Sequence, residues 1–66
     1  MTFEITTYVE VNINEIINNY KINNGWSIAK IRNAVLDYIS GFDDCEYYLL
    51  YDNINEIVDE VKKEVK

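Results

Sequence analysis

The chain has 66 residues, with 12 Asp and Glu against 6 Lys and Arg, a formal net charge of −6, one Cys, no His and no Pro. A chain this short holds one small domain, residues 1–66, and one Cys forms no internal disulfide. No His together with a single Cys leaves no zinc site of the usual kind, and the scarcity of clustered bases argues against direct nucleic-acid binding.

Hydrophobic residues make up 48% and charged residues 27%, the balance of a globular chain rather than of a disordered acidic tail. No run approaches the roughly 20 apolar residues of a membrane span. The start, MTFEITTYVEV, has no basic flank and no uninterrupted apolar stretch, so a signal peptide is not expected. With a lone Cys45, the expected location is the cytoplasm, here of a host cell. Ile (10), Asn (9), Tyr (6) and Lys (5) supply 30 of the 66 residues. All four have AT-rich codons, which points to an AT-rich genome.

Thr2 to Val11 alternates: Phe3, Ile5, Thr7, Val9 and Val11 on one face, Glu4, Thr6, Tyr8 and Glu10 on the other. That period reads as a half-buried strand. Ile13, Ile16, Ile17 and Tyr20 then recur at helical spacing, with Asn12 as N-cap and Glu15 completing a capping box. This helix is expected to end near Asn23-Asn24-Gly25. A second helix begins at Ser27 and buries Ile28, Ile31, Val35, Tyr38 and Ile39, with Ala34 and Leu36 beside them and Gly41 just past its end. Phe42-Asp43-Asp44 reads as a loop and Cys45 to Tyr51 as a second strand. Asn53 repeats the capping signal with Glu56, and Ile54, Ile57, Val58, Val61 and Val65 form a last amphipathic helix. The expected fold is a small α+β domain of order β-α-α-β-α, two short strands packed with three helices.

Asn12-Ile13-Asn14-Glu15-Ile16 recurs as Asn53-Ile54-Asn55-Glu56-Ile57. The repeat is either the convergent use of a good N-cap or a duplicated strand–helix unit. Two copies do not make a solenoid.

Little here supports catalysis. Cys45, Ser27 and Ser40 have no His to serve as base, and the acids around Cys45 disfavour its thiolate. The carboxylates Asp43, Asp44, Glu46 and Asp52 fit neither a catalytic pocket nor the calcium-loop spacing, so neither enzyme nor metal site is expected, and no cofactor. Trp26 reads either as an exposed anchor or as the cap of a small core. Tyr20 and Tyr38 fall on helix stripes and belong to the core. In a strand, Tyr47 and Tyr51 would share one face and Tyr48 would take the other.

The charge map says most. From Asn33 to Val61 there are eight acids and no Lys or Arg: Asp37, Asp43, Asp44, Glu46, Asp52, Glu56, Asp59 and Glu60. Bases are confined to Lys21, Lys30, Arg32 and the tail Lys62, Lys63 and Lys66. Helix macrodipoles and solubility account for Glu56, Asp59 and the tail lysines. They do not account for the long base-free run. Its functional reading is an anionic surface, interleaved with Tyr, that docks on a positive groove.

A short, acidic chain rich in Tyr and Asn, carrying the run Asp43, Asp44, Glu46, Asp52, Glu56, Asp59 and Glu60, resembles the small phage-encoded inhibitors of host defence, anti-CRISPR proteins among them. The resemblance is one of composition and layout. It implies a non-enzymatic inhibitor acting by occlusion or nucleic-acid mimicry. The expected partner is a basic host protein that binds nucleic acid, with no direct contact to nucleic acid or membrane. The expected contact set is Asp43, Asp44, Glu46, Tyr48, Asp52, Glu56, Asp59 and Glu60. The alternative is a structural or regulatory domain that forms a homodimer through a strand edge and its tyrosines.

Overall fold

A computed structural model describes residues 2–4, by their backbone, and residues 10–65. Six elements follow in order: β1 (Thr2–Glu4), β2 (Glu10–Asn12), α1 (Ile13–Tyr20), α2 (Ile28–Ile39), α3 (Asp44–Asp52) and α4 (Ile54–Glu64). The domain is therefore mainly helical, and the expected β-α-α-β-α order is wrong. The two strands are three residues each and pair with one another, antiparallel, Phe3 opposite Val11. The middle of the expected Thr2–Val11 strand, residues 5–9, lies outside the described residues.

The larger correction concerns Cys45 to Tyr51, which is helical. Asp43 is the reason. Its backbone is extended and its Oδ1 accepts from the Glu46 N–H at 2.9 Å, satisfying one free donor of the first turn. Asp44 and Glu46 add negative charge where the helix dipole favours it. The strand preference of Tyr is weak and yields to this context. Asp43-Asp44-Cys45-Glu46 thus has the sequence pattern of a capping box, with the Asp43 half of it formed, inside what reads as a loop and a strand.

The two copies of the internal repeat do different work. Asn12 accepts from the Glu15 N–H at 3.0 Å and caps α1. Asn53 makes no such cap; its Nδ2 donates backward to the Leu49 carbonyl at 2.8 Å. It joins two helices rather than a strand and a helix, and this favours convergence over duplication. Elsewhere Ser27 caps α2 through the Lys30 N–H. α1 ends at Tyr20, before the Asn-Asn-Gly turn, because Lys21 takes the left-handed conformation at φ 54°. The Ile22 N–H then reaches the Ile17 carbonyl at 3.0 Å, and Ile22 is buried at that turn. Gly41 follows α2 without a positive φ.

One apolar cluster joins the elements. Val11, Ile13, Ile16, Ile31, Val35, Ile39, Leu50, Ile57 and Val61 are fully buried. α2 and α1 both pack on α4, α1 also packs on α2, and α3 packs on α2. Leu50, Ile54, Ile57, Val58 and Val61 are buried on both sides of Asn53. The one-residue break therefore keeps the inward face in phase between α3 and α4. Trp26, Tyr20 and Tyr38 are half-buried against the cluster. Ile28, expected on the buried stripe, is 50% exposed, and Cys45 is exposed rather than packed in a sheet.

Candidate protein-docking face

α3 brings together residues that a strand would have separated. Asp44, Tyr47, Tyr48, Tyr51 and Asp52 fall at i, i+3, i+4, i+7 and i+8, one continuous helix face. The rings of Tyr47 and Tyr51 stack with centroids 6.0 Å apart, and those of Tyr47 and Tyr48 meet edge-on at 5.8 Å. Tyr48 is 68% exposed, Tyr51 47% and Leu49 40%. Tyr47 is half-buried and ties the aromatic face to the core. The opposite side carries Leu50, the only fully buried side chain of α3.

The eight expected contact residues do not form one patch. Asp44, Tyr48 and Asp52 share the α3 face just described. Glu56 and Asp59 are exposed on α4, whose inward face is Ile54, Ile57, Val58 and Val61. Glu60 is half-buried and pairs with Lys63 at 3.6 Å, the one ion pair among the described residues. Asp43 is occupied with capping, and Glu46 is half-buried on another side of α3. Those two line a shallow cleft of about 390 Å³ with Glu15, Tyr38, Gly41 and Phe42.

The cleft is structural in its chemistry. Tyr38 donates to Glu15 at 3.2 Å and meets Phe42 edge-on at 5.7 Å. Burial, then the charge of Glu15, push the Tyr38 hydroxyl above its ordinary value. It stays a protonated donor rather than a base. Nothing there places a nucleophile beside a base. Among the described residues, no three His, Cys, Asp or Glu side chains gather as a metal site.

The bases lie elsewhere. The Lys30 ammonium sits 4.2 Å from the Trp26 ring centroid, and the Lys62 ammonium donates to the Trp26 carbonyl at 3.3 Å. Trp26 is thus the half-buried cap of the core, held by two lysines. No described helix is long and apolar enough to cross a membrane.

Tyr47 and Tyr51 were absent from the expected contact set, because period two places them on the face opposite Tyr48. The signal that reunites them is the Asp43–Glu46 capping box. Comparison with protein-family models, curated proteins and solved structures finds no match to this chain.

Proposed function

We propose that this chain is a non-enzymatic inhibitor of phage or mobile-element origin. It lays the outer faces of α3 and α4 on the basic, nucleic-acid-binding surface of a host protein. The observation that carries this reading is the exposure of Asp44, Asp52, Glu56 and Asp59 without a cation: among the described residues none has an ion-pair partner. Uncompensated carboxylates repel one another at a cost of a few tenths of a kcal/mol per close pair. A cationic partner removes that cost, speeds encounter and selects against other partners.

Self-association through the same tyrosines fits less well. It would set Asp44 and Asp52 of two copies near each other with no intervening base on α3.

The test is competition. The chain is immobilised in host extract, and retained proteins are challenged with duplex DNA at physiological salt. Docking on a nucleic-acid surface requires that the duplex release the retained protein. Retention that the duplex does not disturb contradicts the reading.

A further inference from the structure

The face of α3 combines three features that together specify a ligand chemistry. Its tyrosine rings form a contiguous group, with Tyr48 and Tyr51 open to solvent. Its carboxylates, Asp44 and Asp52, lie one turn to either side of Tyr48, roughly 6 Å along the axis. And the hydroxyls of Tyr47, Tyr48 and Tyr51 donate to no acceptor among the described residues, whereas those of Tyr20 and Tyr38 are both engaged.

Each other occupant leaves one feature unanswered. Nucleic-acid bases stack on tyrosine, but Asp44 and Asp52 would meet phosphates with no base on α3 to offset them. A purely apolar segment would bury the carboxylates without partners. A second copy brings the same carboxylates again. A lysine answers the charge, and its ammonium can sit over a ring as that of Lys30 does over Trp26, but as a compact, strongly hydrated point it gains less there than a planar, weakly hydrated cation. A guanidinium is planar and weakly hydrated, so it lies flat on a ring while keeping its charge beside a carboxylate. A carboxylate and a ring at i and i+4 are within reach of one such group.

We infer that α3 is an arginine-reading face. Guanidinium groups of a protein partner stack on Tyr48 and Tyr51 and pair with Asp44 and Asp52. This deepens the docking reading above and rests on it. It adds that the partner's basic surface is rich in arginine rather than lysine, and that the tyrosines, not the carboxylates, make that distinction.

The test uses the full chain with two probes, a nona-arginine and a nona-lysine peptide, titrated calorimetrically at matched, low ionic strength. The expected result is about tenfold tighter binding of nona-arginine, from two ring contacts. The ring resonances of Tyr48 and Tyr51 should shift with nona-arginine and not with nona-lysine. Tyr48→Ala combined with Tyr51→Ala should bring the arginine affinity down to the lysine value and leave the lysine value in place. Equal affinities in the native chain overturn the arginine inference and leave docking intact. So does an arginine preference that survives the double substitution. Binding of neither peptide overturns both. The ring-shift measurement needs no variant, so a double substitution that fails to fold does not rescue the inference.

Discussion

The hydroxyl of Tyr20 on α1 donates to Asp37 on α2 at 2.5 Å. Tyr38 on α2 reciprocates with Glu15 on α1, so each helix contributes one phenol and one carboxylate to the seam. Both pairs are partly exposed, which limits their strength. Their value is positional: two polar ties fix how α1 lies along α2 while the isoleucines beneath supply the burial. Tyr20→Phe and Tyr38→Phe should each lower the melting temperature by about 2–5 °C. Thermal unfolding followed by circular dichroism measures this. A double substitution that costs no more than either single would show that the two ties act as one.

The Tyr20–Asp37 bond also sets a pH dependence. The hydrogen bond to Asp37, then partial burial, push the Tyr20 hydroxyl up from its ordinary value of 10 to about 12. The donating form is the neutral phenol. Below pH 10 it is present in folded and unfolded chains alike, and the contribution is complete. Between pH 10 and 12 the unfolded chain ionises first, and the contribution is lost progressively. Ultraviolet titration should show a tyrosine ionising near 12, and Asp37→Asn should bring it back toward 10.

Asp43 and Asn53 occupy similar places in sequence and different ones in structure. Asp43→Ala should cost about 1 kcal/mol by removing the cap on α3, and Asp43→Asn should restore most of it. Asn53→Ala should change stability by under about 0.5 kcal/mol, because Asn53 caps no N-terminus and Ala is the better helix former. Urea unfolding distinguishes the two. An equal cost at both sites would mean that Asn53 caps α4 as Asp43 caps α3.

Burial separates two isoleucines that the helical spacing treats alike. Ile31→Ala should cost about 2–5 kcal/mol, a large share of the stability of so small a domain. Ile28→Ala, at a half-exposed first-turn position, should stay within about 1 kcal/mol. The reverse order in chemical denaturation would place α2 in a different rotation against α4.

The elements legible in the sequence are those whose apolar residues repeat over more than two turns. Ile13 to Tyr20, Ile31 to Ile39 and Ile54 to Val61 declare their buried faces, and Asn12 and Ser27 declare their starts. α3 was not legible from its apolar residues, because its exposed face is as aromatic as its inner one. Tyr47, Tyr48, Leu49 and Tyr51 surround Leu50 and erase the contrast on which periodicity depends. Only the polar residues mark it as a helix, through the Asp43–Glu46 box. The acidic run was evident in composition, but its division was not. Capping takes Asp43, partial burial takes Glu46, and Lys63 takes Glu60, which leaves Asp44, Asp52, Glu56 and Asp59 outward with Tyr48.

The most direct measurement concerns those four carboxylates. Asp44→Lys, Asp52→Lys, Glu56→Lys and Asp59→Lys are combined in one chain that keeps the Asp43 cap and the apolar core. Affinity for the duplex-displaceable host protein is then measured across salt concentrations. The native chain should bind with steep salt dependence, and the reversed chain, still helical, should lose at least about a hundredfold in affinity. Undiminished binding by the reversed chain, with the same dependence on salt, would contradict docking on a basic surface.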